Sequence, residues 1–199
     1  MTARAFHHGN LRAVLLDRAE AMLREVGTDG ISLRELARQA GVSHGAPRSH
    51  FIDRQALLDT LAERGFDRLT DKLKSSMAAG DPFDATFHRV AHAYVEFAVQ
   101  DAALMELMFA AKMADPPAHI QNAAERMFQT FDELIDLGHS DGVLSADAKY
   151  RLKLLFAVTM QGTATLTAAR RITAAQGAAL IDDATALILR AATEPTSRI

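Results

Sequence analysis

Residues 32–51, SLRELARQAGVSHGAPRSHF, constrain this chain more than any other stretch. Two short runs with helical spacing flank Gly41-Val42-Ser43, which has room only for a tight turn. An isolated helix below ~12–15 residues is marginal in water, so such a pair must pack on each other and on a third element. Ser32 with Glu35 three residues on is a capping-box pattern, and Leu33, Leu36, Ala37 and Ala40 form one apolar face. Gly41 permits a left-handed corner, Val42 can plug the core, and Ser43 is expected to cap a second helix that runs through Phe51. Two short helices joined by a Gly-containing turn make a helix-turn-helix, whose second member enters the DNA major groove. Ala46 and Phe51 can then face inward. His44, Gly45, Arg48 and Ser49 can face outward at the leading end. Gly45 would let a ligand backbone approach, and Arg48 can reach a phosphate or a guanine edge. An ordinary helical hairpin is the competing reading.

The rest of the chain repeats the helical period. Asn10 is a good N-cap for a run in which Leu11, Leu15, Ala19, Met22, Leu23 and Val26 recur until Gly27. Asp53 caps a long run with Leu57, Leu58, Leu61, Phe66, Leu69 and Leu73 as its apolar positions. A break at residues 78–82, AAGDP, marks the boundary of a second region. Helices are expected there at 83–100, 102–113, 118–139, 146–171 and 178–192, separated by Pro116-Pro117 and Asp141-Gly142. No strand-like alternation survives between the breaks, so the fold class is all-α.

Composition narrows the function. Zero Cys excludes disulfides, thiolate metal sites and Cys nucleophiles, and fits a reducing compartment. The opening MTARAFHHGNLR has no apolar core of a signal peptide, and residues 154–169 are interrupted by Thr, Gln and Gly. A cytoplasmic protein with no membrane partner is therefore expected. The formal net charge is −3, but residues 1–74 carry twelve Lys/Arg against ten Asp/Glu, and residues 75–199 carry ten against fifteen. A mildly basic module thus precedes an acidic body. There is no G-x-S-x-G, Walker loop, H-E-x-x-H or paired E-x-x-H, so no catalytic residue is assigned and no enzyme is expected.

An N-terminal helix, the string ISLRELARQAGVSHGAPRSHF and the following IDRQALL resemble the DNA-binding domain of the tetracycline-repressor (TetR) family, and the arm FHHGNLR resembles one branch of it. The similarity covers residues 7–66. It implies three parts: a three-helix DNA-binding domain at 1–54, a connecting helix at 55–80, and a helical effector-binding and dimerisation domain at 81–199. It also implies phosphate contacts from Ser32, Ser43, His50 and Arg54, and base or groove contacts from Arg34, His44, Gly45 and Ser49. The chain departs from the family at Arg48, where an aromatic residue, mostly Tyr, is usual. Pro47 removes one helix N–H and crowds the Ser43 carbonyl, so a loose first turn is expected. The implied partners are double-stranded DNA bearing a palindromic operator, a small-molecule effector, and a second copy of the chain. No cofactor is implied.

Met105, Met108, Phe109, Met113, Met127, Phe131, Phe156 and Met160 make a soft cluster suited to a variable apolar effector, or else simply fill the core. Gln161 is either a polar group of that pocket or a satisfied core amide. The arm-sharing branch often carries a Trp…His-Gly signature here, of which Met160-Gln161-Gly162 keeps only the Gly. The last two helices are rich in small residues, which lets helices approach closely. Ala164, Ala168, Ile181, Ala184 and Ile188 are the expected dimer positions, with packing inside one chain as the alternative.

Asp84, His88, His92 and Glu96 climb one stripe at spacing four. Two His at i and i+4 can share a metal. The stripe lies opposite Phe83, Phe87, Val90, Ala91, Tyr94 and Ala98, so it reads as a solvated face with Asp–His and His–Glu pairs, and no metal is expected. The leading expectation is a ligand-responsive transcriptional regulator, most plainly a repressor. Its rivals are an all-helical enzyme or metal-binding protein, and a helical interaction module that has lost DNA binding.

Overall fold

A computed structural model describes residues 11–77, 80–113, 115–144 and 149–193. Among these residues there are eight α-helices and no strand. They are α1 (Leu11–Val26), α2 (Leu33–Ala40), α3 (Arg54–Ser76), α4 (Phe83–Gln100), α5 (Ala102–Met113), α6 (Ala118–Ser140), α7 (Lys149–Ala168) and α8 (Ala174–Thr193). A 3₁₀ turn, Pro47–Ser49, lies between α2 and α3. The expected cap Asn10 and the expected start of the seventh helix at Ala146 lie outside the described residues.

The helix ends follow the local chemistry. The Glu35 N–H donates to Ser32 Oγ at 3.1 Å, and the Ala56 N–H donates to Asp53 Oδ1 at 2.8 Å. Gly27 and Gly41 take φ of 68° and 67°, the left-handed conformation in which glycine carries no steric cost. The start of α8 differs from its expected position. Thr173 and Gln176 exchange reciprocal cap bonds of 2.9 and 3.1 Å, which starts the helix a turn before residue 178. The T-x-x-Q pattern at Thr173–Gln176 is a capping box, and it sets this start.

The chain forms two compact units, residues 1–65 with 103–121 and residues 66–102 with 122–199. This division falls inside α3 and not at the break near residue 80. In the first unit α1 packs on α2, and α2 packs on the 3₁₀ turn. Its core is Leu15, Ala19, Met22, Leu23, Ile31, Leu36, Phe51, Leu57 and Leu61, all buried. Arg64 ties α3 to α1 through Asp17 at 2.6 Å and Glu20 at 3.0 Å. In the second unit α4, α7 and α8 pack on one another. The apolar face of α4 named from sequence, Phe83, Phe87, Val90, Ala91, Tyr94 and Ala98, is buried throughout.

Candidate nucleic-acid interface

The segment after Gly41 is not the α-helix expected through Phe51. Residues 44–46 form a turn and Pro47–Ser49 a 3₁₀ turn. The hydrogen bonds explain why. Ala46 donates to Ser43, Arg48 to Gly45, Ser49 to Ala46 and His50 to Pro47, each closing an i to i+3 ring. Pro47 has no N–H to give the Ser43 carbonyl, so the first i to i+4 bond of an α-helix cannot form there. The segment winds tighter instead. Ser43 is correspondingly not the side-chain cap assigned to it. The residue ahead of the 3₁₀ turn is Ala46, which makes no side-chain cap bond. Pro47 itself is buried, and with Phe51 it anchors the segment. The Arg12 guanidinium sits 5.5 Å from the centre of the Phe51 ring, a cation–π distance.

This anchoring turns the polar residues outward. Ser32, Arg34, Ser43, His44, Gly45, Arg48, Ser49, His50 and Arg54 are all exposed. Arg34, His44 and Arg48 meet across the two limbs of the motif and, with Leu33, line an open groove of about 310 Å³. Sequence spacing predicted the exposure of His44 and Arg48, and the family resemblance implied a contact from Arg34, but neither said that Arg34 of the first limb would join the second limb's pair. Other members are already engaged. The Ser49 hydroxyl donates to the Ala46 carbonyl at 2.7 Å, which leaves it only as an acceptor. Arg54 turns back into its own unit, donating through Nε to the Ile31 carbonyl at 2.9 Å and through Nη2 to the Thr28 carbonyl at 2.6 Å. It clamps the α1–α2 loop to the start of α3, a role the resemblance did not assign.

A polar network fixes α2 on α1 behind the groove. Arg18 Nε donates to Gln39 at 2.7 Å, Gln39 donates to Glu35 at 2.7 Å, and Arg38 Nε donates to Glu35 at 2.8 Å. The Arg38 hydrogen bond, with that of Gln39, holds the Glu35 carboxyl at about 2, well below its ordinary value. Glu35 thus faces Arg38 and Gln39, so only the serine limb of the expected capping box is used.

The residues expected to bind an effector divide between the two units. Met105 and Met108 are buried in the first, Phe109 is half-buried, and Met113 is 85% exposed, outside any cluster. Met108 lies close against α3, where a Cβ on Gly65 would stand 2.6 Å from its sulfur. Met127, Phe131, Phe156 and Met160 are buried in the second unit. There the rings of Phe87, Phe156, Phe131 and Tyr94 follow one another at centroid distances of 4.7, 5.5 and 6.0 Å. The Tyr94 hydroxyl donates to Gln161 Oε1 at 2.6 Å. Burial pushes the Tyr94 phenol well up from its ordinary value, so it remains a neutral donor. The Gln161 amide oxygen is therefore satisfied by a residue from α4 that no local spacing pairs with it.

Three of the five expected dimer positions are inside the chain. Ala164, Ile181 and Ile188 are buried in the packing of α4, α7 and α8, Ala184 is half-buried, and Ala168 is exposed. The small residues serve the crossing of α7 and α8, where a Cβ on Gly177 would stand 2.6 Å from Thr167 Oγ1. The apolar residues that do face outward are Tyr150, Leu154, Leu155 and Val158 on α7 and Leu180 and Leu187 on α8. No helix among the described residues is long and apolar enough to cross a membrane.

An exposed, partly cationic helix-turn-helix defines the class as a DNA-binding regulator, not an enzyme. The chain belongs to the tetracycline-repressor family of bacterial regulators. The profile described as bacterial regulatory proteins, tetR family, matches residues 15–61, and that described as tetracyclin repressor-like, C-terminal domain, matches residues 87–191. A protein of unknown function from Rhodococcus sp. RHA1 has a solved structure that superposes with a TM-score of 0.88 at 38% identity, covering 96% of this chain and 100% of that one. The HTH-type transcriptional regulator CymR of Pseudomonas putida is 29% identical over 146 residues, 71% of this chain and 72% of its own length. The uncharacterized HTH-type transcriptional regulator YobS of Bacillus subtilis is 29% identical over 98 residues, 49% of this chain and 51% of its own. The match thus spans only about half the length of that curated relative.

Proposed function

We propose that this regulator is a repressor that binds a palindromic operator as a homodimer and releases it when a small apolar molecule enters the second unit. The observation that carries the proposal is the groove between the limbs of the helix-turn-helix. It places two guanidinium groups and an imidazole, Arg34, Arg48 and His44, on one open surface. Such a surface suits a duplex, because cations fix register on phosphates while forked donors read guanine edges. Arg48 acts on the backbone, where the family places an aromatic hydroxyl. The 3₁₀ winding keeps the segment short and leaves base reading to Arg34, His44 and the Gly45 approach.

The effector site of this reading is the aromatic wall of the second unit. Phe131, Phe156, Met127 and Met160 are buried in the same unit as one polar pair, Tyr94 and Gln161, a composition typical of small-molecule pockets. The dimer face is the outward row of Tyr150, Leu154 and Val158 on α7 with Leu180 and Leu187 on α8. Paired with its symmetry mate, it would form a four-helix interface about a two-fold axis.

The test is binding to the DNA upstream of its own gene and to unrelated duplex at several salt concentrations. Arg48→Ala should weaken both and lower the salt slope by about one. Arg48→Tyr should keep much of the affinity. A wild-type protein with no preference for any upstream sequence would refute the operator reading and favour a helical module that no longer binds DNA.

A further inference from the structure

The polar stripe of α4 holds a group that neither DNA binding nor an apolar effector uses. His88 and His92 stand one turn apart with ring centroids 4.5 Å from each other. Both Nε2 atoms lie 2.7 Å from the same oxygen, Asp182 Oδ1 on α8. The intrahelical partners expected from spacing are engaged elsewhere. Glu96 accepts from Lys72 at 2.8 Å and from Gln100 at 3.0 Å, and Asp84 Oδ1 accepts the Ala85 N–H. The third residue therefore comes from a helix some ninety positions away, which packs directly on α4 within the same unit.

We propose that His88, His92 and Asp182 form a site for a divalent transition-metal ion of the zinc class, bound through two Nε2 atoms and one carboxylate oxygen. The three donor atoms lie within 4.8 Å of one another. Ligands at ~2.0–2.1 Å from a tetrahedral ion stand about 3.3 Å apart, so small side-chain rotations bring the set into one coordination sphere. The donor chemistry selects the ion. Two neutral imidazoles and a carboxylate suit zinc, cobalt or nickel, whereas magnesium and calcium favour oxygen alone. The backbone on both sides is rigid helix, and the Thr185 hydroxyl braces the α8 turn through the Ile181 and Asp182 carbonyls. The side chains are partly exposed, so an ion has an entry path and keeps a position for water or an added ligand. An imidazole–carboxylate pair at this exposure contributes little to stability by itself, so simple ion pairing gives no strong reason for two histidines to converge on one oxygen.

The site is independent of the operator and effector reading, and its test does not involve DNA. Untagged full-length protein, dialysed free of metal, is titrated with zinc by calorimetry and with cobalt(II) by visible absorption. The expected result is one ion per chain with a rise in melting temperature, and cobalt bands of a four-coordinate N,O site. His88→Ala, His92→Ala and Asp182→Asn should each weaken binding at least about tenfold, the asparagine keeping the shape and an acceptor for an imidazole. His7→Ala/His8→Ala, which removes the other closely spaced histidines of the sequence, should leave this binding intact. Equal zinc affinity in wild type and the three single variants, or loss of binding only in the His7/His8 variant, would overturn the proposal. So would the absence of any stoichiometric binding at micromolar zinc.

Discussion

Replacing Arg54 with Ala tests whether this side chain serves the fold or the duplex. Its guanidinium bridges two carbonyls 2.9 and 2.6 Å away, those of Ile31 and Thr28, on the loop that joins α1 to α2. Ile31 is itself buried, and the Thr28 carbonyl also accepts the Ile31 N–H at 3.1 Å, so the loop is folded around these groups. A hydrogen bond from a charged donor contributes about 1.5–3 kcal/mol when well buried. Arg54 is exposed, and water replaces part of each bond, so about 1–2 kcal/mol for the pair is the expected loss. Lysine has a single point of attachment in place of a fork, so Arg54→Lys should recover less than half of it. Urea denaturation gives the stability, and duplex affinity against salt gives the phosphate count. The clamp reading requires lower stability with an unchanged salt slope in the folded protein. Unaltered stability, together with a slope reduced by about one, would refute it and return Arg54 to the phosphate role that the family resemblance implied.

Three further outcomes follow from the packing and the charge network. Gly177→Ala should cost about 1–3 kcal/mol, because the new methyl meets Thr167 Oγ1 at 2.6 Å, and Thr167→Ala in the same chain should restore part of that loss in a double-mutant cycle. Val158→Lys with Leu187→Lys should give a folded protein of monomer mass by sedimentation, since these positions are 71% and 58% exposed, whereas Ile188→Arg should unfold the second unit by burying an unpaired charge. The Glu35 carboxyl is held at about 2, below its ordinary 4.5, so its pairing is fully present above about pH 4.5 and is lost as the pH falls towards 2. Glu35→Gln should flatten that part of the acid denaturation curve followed by circular dichroism, and an unchanged curve would show that the carboxylate pairing adds nothing.

Much of the local structure was legible because it depends on neighbours in the chain. Helical spacing gave α1, the apolar edges of α3 and the buried side of α4, and Ser32, Asp53, Gly27 and Gly41 end or begin helices as their chemistry requires. Pro47 announced a disturbed recognition segment. What it did not announce was the extent, because a single missing N–H can be absorbed by one loose turn or by 3₁₀ winding across the whole segment. The exposure of His44, Gly45, Arg48 and Ser49 was likewise readable, since it follows from the inward placement of the apolar Ala46 and Phe51.

The sequence by itself determined an all-helical chain with two short helical runs about a tight turn near its start, because capping, period and turn residues act over a few positions, and the resemblance of that stretch to a known family made it a regulator. Tertiary structure alone decided which chemistry meets which. Tyr94 reaches Gln161 across 67 positions, Asp182 reaches His88 and His92 across 94 and 90, and Arg54 reaches back 23 and 26 to the loop it clamps. It also decided which side of α7 and α8 faces outward. Those helices carry apolar or small residues around most of their circumference, so periodicity names no inner face. Packing against α4 buries Ala164, Ile181 and Ile188 and leaves Val158 and Leu187 outside. A pattern of spacing sets the phase of one helix against itself, and only the neighbouring helix fixes that phase in space.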